Sequence, residues 1–351
     1  MINQDFWVDR SVFVTGHTGF KGGWICLWLS ELGAKVHGYG LEAPTKPNLY
    51  TETQLQSRLQ NSIIGDIRDL PKLTSAIRVS KPSVVIHMAA QPLVLESYKS
   101  PAETFLTNVT GTVNILEAVR KTNTAEAVVN ITTDKCYENQ GLVRSYRETD
   151  RLGGHDPYSS SKACAEMVAA AYRSSFLSDA GIQLANVRSG NVIGGGDWAV
   201  DRLVPDFFRA LDSGKTLHIR SPKAVRPWQH VLEPLSGYLL LAERLVNGET
   251  EYAEDWNFGP DETDAKPVLW IADHLSKKFP YLSWELESGP KPHEARILKL
   301  DIAKAKAKLG WAPKWSLGMA LDKTVLWHQA WKENRSMAEV SIRQIEDYEG
   351  S

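Results

Sequence analysis

The alternation of short apolar runs with helical segments in the first half of the chain limits its fold more than any other feature. Strands are predicted at Ser11–Thr15, Lys35–Tyr39, Ser62–Ile64, Ser83–Met88, Val128–Thr132 and Leu184–Arg188. Helices are predicted between them, including a segment ending near Leu32, Leu70–Ser80, a long helix opened by Pro101 and another after Asp156-Pro157. This alternation is typical of a doubly wound parallel sheet. We therefore expect an α/β fold.

The second half of the chain has a different character. After Gly190 the alternation gives way to loops rich in glycine, proline and tryptophan. A chain of 351 residues is also long for a single hydrophobic core. We expect a sheet domain over residues 1–188, with part of about 224–258 returning to it, and a smaller lobe mainly over residues 189–351.

Composition excludes several classes of function. The net charge of −2 argues against a dedicated nucleic-acid-binding protein, which is usually strongly basic. No apolar run approaches the roughly 18–20 residues of a membrane span, and the N-terminal segment does not resemble a secretory signal. The cysteines, Cys26, Cys136 and Cys164, are odd in number and lack metal-ligand spacing. We expect a cytoplasmic protein with reduced thiols and no metal site.

A glycine-rich turn, TGHTGFKGG, follows the first predicted strand. Gly16, Gly19 and Gly22 are spaced three apart, directly between a strand and a helix. Glycines at such a turn let the backbone approach a pyrophosphate, and the helix N-terminus supplies N–H donors. The context predicts a dinucleotide site on a Rossmann-like sheet.

The acid that usually binds the adenosine ribose is missing from its expected place. Gly40 follows Tyr39 at the end of the second strand, and the first acid is Glu42. Either Glu42 reaches the ribose or the cofactor is held loosely. Asp66, in GDIRD after the third strand, is a candidate acceptor for the adenine amino group, or alternatively a helix cap.

Tyr158 and Lys162 lie four residues apart in YSSSK, so a helix places them on one face. A tyrosine has a reference pKa of about 10 and needs help to act as a base near neutral pH. A nearby ammonium and the positive end of a helix both favour the phenolate.

Adjacent opposite charges end the fifth predicted strand in VVNITTDKCYEN. Asp134 and Lys135 follow the apolar run and Thr133. A strand buried in the middle of a sheet is rarely followed by such a pair unless its end reaches solvent or a site. The alternatives are a surface ion pair and an acid–base pair.

The glycine turn, Thr133 and the Tyr158/Lys162 pair resemble the extended short-chain dehydrogenase/reductase family, over essentially the whole chain. The resemblance implies an NAD cofactor and a sugar-nucleotide lobe. Thr133 would hydrogen-bond the substrate hydroxyl, Tyr158 would take its proton, and Lys162 would hold the nicotinamide ribose. The resemblance also assigns cofactor contacts to Phe20, Ile67 and Ala89. Asn108 matches the family's helix asparagine, for which a structural role is the alternative.

The resemblance narrows to the sugar-nucleotide 4,6-dehydratases. Lys135 stands where the relatives acting on dTDP-glucose and GDP-mannose have glutamate, and RSGNVIGGGDW and RPWQHVLEP are similar to the branch acting on CDP-glucose. The implied reaction oxidises C4, eliminates water across C5 and C6, and returns hydride to C6. The product, CDP-4-dehydro-6-deoxy-D-glucose, is a precursor of deoxysugars in bacterial lipopolysaccharide O-antigen.

In this reaction Asp134 is the expected general acid. Burial or substrate binding must raise its pKa from about 4 for it to carry a proton at pH 7. Lys135 is either a neutral base that removes the C5 proton or a charged group that stabilises the enolate.

The substrate lobe supplies three further candidates by resemblance. Asn191 is expected to contact the phosphates, and Arg226 and Arg296 to clamp the pyrophosphate. Either arginine has a structural role as its alternative. Trp198 and Trp228 are candidates for walls of the nucleotide pocket, with core packing as the favoured alternative for each.

Three alternative functions stay open: a 4,6-dehydratase for another nucleotide sugar, a sugar-nucleotide 4-epimerase, and an NAD-sensing regulatory protein. Asp134 argues against an epimerase, and the set of Thr133, Tyr158 and Lys162 argues against a sensor. The resemblance implies a homodimer paired through the helices that Pro101 and Pro157 open.

Overall fold

The computed structural model describes residues 2–287 and 296–351. Its strands are β1 (Ser11–Thr15), β2 (Lys35–Gly40), β3 (Asn61–Ile64), β4 (Val84–His87), β5 (Ala127–Ile131), β6 (Gln183–Ser189), β7 (Val192–Ile193), β8 (Leu217–Ile219), β9 (Val225–Pro227), β10 (Gln229–His230), β11 (Asp255–Phe258), β12 (Ala265–Pro267) and β13 (Trp284–Leu286). The α-helices are α1 (Gln4–Trp7), α2 (Phe20–Glu31), α3 (Leu49–Glu52), α4 (Leu70–Ser80), α5 (Val94–Lys99), α6 (Pro101–Phe105), α7 (Gly111–Thr122), α8 (Pro157–Tyr172), α9 (Leu203–Ser213), α10 (Leu232–Val246), α11 (Val268–Lys278), α12 (Leu317–Lys332) and α13 (Met337–Glu349). Short 3₁₀ or π segments occupy Leu55–Arg58, Leu106–Thr110, Asp134–Cys136, Arg173–Leu177, Thr250–Tyr252, Glu262–Asp264 and Ala305–Leu309.

A seven-stranded sheet forms the centre of the molecule, in the order β11-β6-β5-β4-β1-β2-β3, and every pairing within it is parallel. The predicted α/β fold is confirmed. All six predicted strands are present with bounds shifted by at most one residue at either end. The seventh strand, β11, comes from the second half of the chain and lies beside β6.

Burial on both faces explains why the sheet strands read as continuous apolar runs. Val12, Phe13 and Val14 in β1 are fully buried. Val12 and Val14 belong to one apolar core with helices α2 and α10, whereas Phe13 belongs to a second with α4 and α7. A strand covered by helices on both faces has no solvent side and therefore does not alternate in polarity.

Helix starts follow local capping chemistry. Asp69 is the N-cap of α4 and accepts from the backbone N–H of Lys72. Asp156 caps α8 and accepts from Ser159 N at 2.9 Å, with Pro157 in the first turn as predicted. Because Asp69 is the cap, the alternative that Asp66 caps this helix is wrong.

A smaller lobe over the second half is built from short strand pairs, β7 with β10, β9 with β12 and β8 with β13, and from helices α9, α11 and α12. Its core is a third apolar cluster that includes Phe207, Ile271 and Leu321. The last helix, α13, packs back on α2, where Trp28 Nε1 donates to Glu349. Among the helices of residues 2–287 and 296–351, none has the length and apolar character needed to span a bilayer.

Candidate active site

A cleft of about 360 Å³ lies between the carboxyl ends of the sheet strands and the smaller lobe. The end of β5 contributes Ile131 to Lys135, and α8 contributes Tyr158 and Lys162. The lobe supplies residues 189–194, the start of α9, and Arg226. Ligands of open parallel sheets bind at this edge, because the strand carboxyl ends and the helix N-termini meet there.

The glycine turn has the close-packed geometry that a phosphate site needs. Gly16 has a φ of +76°, and a Cβ there would lie 2.9 Å from Ala89 N. A Cβ on Gly22 would lie 2.0 Å from Gly16 O, so only glycine fits. Gly19 is the N-cap of α2 and makes no side-chain cap, so no side chain of the turn covers the first N–H groups of that helix. Phe20 begins α2 and lines the cleft.

The other residues expected to contact the cofactor follow the carboxyl ends of β2, β3 and β4. Glu42 is exposed just beyond β2. Asp66 accepts from Arg68 Nε at 2.9 Å and from Arg68 N at 2.8 Å, and that arginine holds the pKa of the carboxyl below its usual value. Ile67 is buried and Ala89 is half-buried against the same apolar cluster.

The tyrosine–lysine pair lies on the first turns of α8, with only 8% of Tyr158 and 7% of Lys162 exposed. Burial raises the pKa of Tyr158 to about 12, while a hydrogen bond with Thr133 opposes the rise. Burial also lowers the pKa of Lys162 to about 8, opposed chiefly by the nearby Glu166 carboxylate. The Lys162 ammonium donates to Ile131 O at 3.3 Å, which anchors it to the end of β5.

Asp134 is a buried carboxyl with one oxygen unpartnered. Thr133 Oγ1 donates to Asp134 Oδ1 at 3.0 Å, while Oδ2 is buried and has no hydrogen-bond partner. Burial raises the pKa of Asp134, against the smaller opposing effects of Lys135, Thr133 and Arg226. An unsatisfied buried carboxylate oxygen is costly, so the environment favours the protonated form, which is a proton donor.

Lys135 and Arg226 both act on Asp134 from within the cleft. Lys135 is half-buried in a 3₁₀ turn, where its N–H donates to Thr133 Oγ1 at 3.3 Å. Arg226 is 2% exposed and donates to Val225 O at 2.9 Å. Both line the cleft, so the predicted acid, its cationic neighbour and one predicted phosphate-binding arginine lie in one site.

Of the remaining residues predicted to bind substrate, one lines the cleft and one does not. Asn191 lines the cleft, and its carbonyl accepts from Gln229 N at 3.0 Å. Arg296 is exposed and does not line the cleft, although its carbonyl accepts from Val225 N. The start of its motif, residues 293–295, lies outside the described residues. Trp228 lines the cleft and donates to Lys266 O, whereas Trp198 packs edge-on against other tryptophans.

The side chain of Asn108 joins α8 to the loop that contains Gln91. Its carbonyl accepts from Gln91 N at 2.8 Å, and its amide donates to Gln91 O and to Ser161 Oγ. With these bonds both ends of the side chain are engaged by protein. This geometry supports the structural alternative.

Two cleft residues escaped the sequence analysis. Lys21, from the glycine turn, donates to Ser189 Oγ at 2.9 Å and to Tyr238 OH at 3.1 Å. Arg202, near the start of α9, pairs with Asp197 at 2.8 Å. The position of Lys21 inside the turn was a signal for it, whereas nothing local distinguishes Arg202.

Comparison with known proteins gives a consistent result. Residues 13–324 match the GDP-mannose 4,6 dehydratase family. The CDP-glucose 4,6-dehydratase of Salmonella typhimurium is 52% identical over 99% of this chain and 98% of that protein. A dTDP-glucose 4,6-dehydratase of Xanthomonas campestris is 27% identical over 91% of this chain and 93% of its own length.

Solved structures share the fold. The UDP-glucose 4-epimerase of Thermotoga maritima, solved with UDP-glucose, superposes with a TM-score of 0.78 at 24% identity, covering 92% of this chain and 99% of that one. The dTDP-glucose 4,6-dehydratase of Bacillus anthracis, in complex with NAD, gives 0.77 at 23% identity, covering 94% and 99%. Epimerases and dehydratases therefore share this architecture, and only the site chemistry separates them.

Proposed function

The chain belongs to the GDP-mannose 4,6-dehydratase family, and we propose that within it the protein acts as a CDP-glucose 4,6-dehydratase. This hydro-lyase converts CDP-glucose to CDP-4-dehydro-6-deoxy-D-glucose. The observation that carries the proposal is the buried carboxyl of Asp134, with Oδ2 unpartnered, in the same cleft as Tyr158 and Lys162. An epimerase has no use for a second proton donor. The 52% identical relative of the same activity supports the choice of CDP-glucose.

The glycine turn fits NAD. Gly16 and Gly22 leave no room for a Cβ, and the first N–H groups of α2 carry no side-chain cap, as a pyrophosphate requires. NAD⁺ bound here supplies a reversible hydride acceptor, so the reaction has no net redox change. We assign the phosphate contacts to the turn, and Phe20, Ile67, Ala89, Glu42 and Asp66 to the remainder of the cofactor.

Oxidation at C4 needs a group that takes the proton of the 4-hydroxyl. Tyr158 is that base, with Thr133 hydrogen-bonded to it and positioned to orient the sugar hydroxyl. Because burial holds the pKa of Tyr158 near 12, the phenolate needs the positive charge of Lys162 and of the oxidised cofactor.

Elimination needs an acid and a base on the C5–C6 side of the sugar. The 4-ketone acidifies the C5 hydrogen, and Asp134 protonates the 6-hydroxyl, which leaves as water. Lys135 borders the same space and either removes the C5 proton as the neutral amine or stabilises the enolate as the cation. Asn191 and Arg226 bind the substrate phosphates from the lobe, and Arg296 is proposed to complete the clamp.

We propose that the protein is cytoplasmic. The three cysteines are unpaired, as expected of a protein in the reducing cytoplasm. A product of this class feeds deoxysugar synthesis for lipopolysaccharide O-antigen. We propose a homodimer, because large apolar side chains such as Leu106 and Met167 are exposed on the helices that Pro101 and Pro157 open.

Incubation with CDP-glucose and NAD⁺ tests the function, with the sugar nucleotide followed by mass and NADH by absorbance. We expect loss of one water without accumulation of NADH. Asp134→Asn should lower kcat by about 10²–10⁴-fold, because the amide cannot donate a proton to the leaving hydroxyl. Unchanged mass with inverted C4 would mean an epimerase, and preference for dTDP-, GDP- or UDP-glucose would reassign the substrate.

A further inference from the structure

A buried ion pair lies behind the acid–base residues and outside the cleft lining. The side chains of Glu166 on α8 and Arg188 on β6 are each 1% exposed. Arg188 Nε lies 2.9 Å from both Glu166 oxygens, and Nη2 also donates to Glu166. Two charges removed from water are tolerated only when their geometry and remaining hydrogen bonds are nearly complete.

Glu166 connects the catalytic helix to the strand end. Thr132 Oγ1 donates to Glu166 Oε1 at 2.5 Å, and Thr132 directly precedes Thr133. Glu166 also lies four residues after Lys162, so its carboxylate is on the same helix face one turn away. One carboxylate thus contacts Thr132, two residues before the turn Asp134–Cys136 (here called the acid–base turn), and lies one helical turn from Lys162.

Arg188 holds the other end of that turn. Its Nη1 donates to Tyr137 OH at 2.7 Å and to Glu148 O at 3.1 Å. The Tyr137 hydroxyl in turn donates to Asn257 Oδ1 at 2.7 Å. Tyr137 follows Lys135 by two residues. The ion pair therefore holds the segment that carries Asp134 and Lys135 on both sides.

We propose that the Glu166–Arg188 pair is a positioning element that fixes the acid–base turn Asp134–Cys136 relative to the Tyr158–Lys162 helix. The inference rests on the proposed function, because C4 oxidation and C5/C6 elimination must act on one sugar without its release. A displacement of about 1 Å between catalytic groups costs on the order of 10²-fold in rate. Neither Glu166 nor Arg188 lines the cleft in the described part of the chain.

The same pair sets the charge around Lys162. Tyr158 lies one helical turn before Lys162 on α8. Among the described residues, four ionisable groups interact electrostatically with Lys162, and they are Glu166 on α8, Cys136 in the acid–base turn, His87 in β4 and Lys21 in α2. Glu166 is the carboxylate among them and opposes the effect of burial on the lysine pKa. Removing its charge should make Lys162 lose its proton at lower pH.

Glu166→Gln tests the proposal, because the amide keeps the shape and loses the charge. We expect kcat to fall at least about tenfold with KM little changed, and the alkaline limb of the pH profile to move down by about one unit. Glu166→Asp keeps the negative charge but shortens the side chain. It should therefore restore the alkaline limb of the pH profile without restoring kcat. Glu233→Gln is the matched control, since Glu233 is fully buried and binds Trp315 N and Tyr348 OH away from the cleft.

A second variant tests the positioning role if Glu166→Gln does not fold. Thr132→Val removes the hydroxyl that donates to Glu166 at 2.5 Å and, at a longer 3.2 Å, to Val187 O. Hydrogen exchange at the Lys135 and Cys136 amides, both bonded to Thr133, should accelerate several-fold relative to Glu233→Gln. The positioning role would be overturned if the exchange rates in Thr132→Val and the alkaline limb in Glu166→Gln were both indistinguishable from those of Glu233→Gln. A wild-type protein inactive on CDP-glucose would overturn the function instead, while the exchange comparison still judges positioning.

Discussion

Among single residues, Asp134 shows how strongly burial acts on a carboxyl group. An exposed aspartate is ionised at pH 7, but here one oxygen lacks a partner and the pKa is raised. The cationic neighbours Lys135 and Arg226 pull the pKa the other way. This balance is what the proposed role of Asp134 as proton donor to the leaving hydroxyl requires.

Lys135 has two candidate roles that substitution separates. If the neutral amine removes the C5 proton, Lys135→Glu should retain elimination, because a carboxylate is also a base, whereas Lys135→Ala should lose about 10²–10⁴-fold in kcat. Product mass and NADH accumulation with CDP-glucose measure both. Loss of activity in the glutamate variant favours the charged, enolate-stabilising role. An alanine variant as active as wild type would remove Lys135 from the chemistry.

The lowered pKa of Lys162 predicts that activity declines at alkaline pH. Its folded pKa, lowered by burial to about 8, means that the ammonium needed beside Tyr158 is lost as pH rises through 8. We expect kcat/KM to fall above that pH. Lys162→Arg is the control, because a guanidinium stays charged and should abolish this limb at a lower overall rate. A limb unchanged in Lys162→Arg would belong to another group.

At the scale of elements, the helix opened by Pro101 departs from its prediction as one regular helix. It is interrupted by a π segment at Leu106–Thr110, with α6 before it and α7 after it. Asn108 sits in this segment, 2% exposed, and bonds the Gln91 loop and Ser161 of α8. The irregular turn directs the amide at both partners.

Asn108→Ala should therefore be structurally costly. It leaves Gln91 N without its acceptor, and an unsatisfied buried donor costs about 1–3 kcal/mol in the free energy of unfolding. Urea unfolding measures this loss. Thr110→Ala, an exposed position in the same π segment, is the control and should change the free energy by less than about 0.5 kcal/mol. Equal effects would contradict the role of the asparagine.

At the scale of the whole molecule, two helical regions that pack together carry large exposed apolar side chains. Phe105 and Leu106 are 37% and 46% exposed, and Met167 and Phe176 on and after α8 are 55% and 46% exposed. Contacts join α8 to α6 and α7 of the helix that Pro101 opens. Exposed apolar patches of this kind mark association surfaces. We propose that a second copy of the chain covers these side chains.

Met167→Glu should then weaken the dimer, because association would bury an unpaired carboxylate. Sedimentation velocity across protein concentrations measures the mass. Val79→Glu, on α4 and 74% exposed, is the control and should leave the mass unchanged. A wild-type chain that sediments as a monomer at every concentration would refute the proposal.

Features that depend on neighbouring residues could be predicted from the amino-acid sequence. The alternation of strands and helices, the glycine turn, the caps Asp156 and Pro157, and the four-residue spacing of Tyr158 and Lys162 are all read within a few positions. Their physics is local: periodicity sets which face is buried, and helix geometry places i and i+4 together.

Features that depend on residues far apart in the chain became visible only in the folded protein. The carboxylate of Asp66 binds the Arg68 side chain and does not cap a helix. Arg202 lines the cleft from the smaller lobe. The Glu166–Arg188 pair joins a helix to a strand 22 positions away in sequence. Burial likewise raises the pKa of Asp134 only once distant segments have closed around it. Desolvation and long-range pairing exist only after the chain has packed, so no local pattern encodes them.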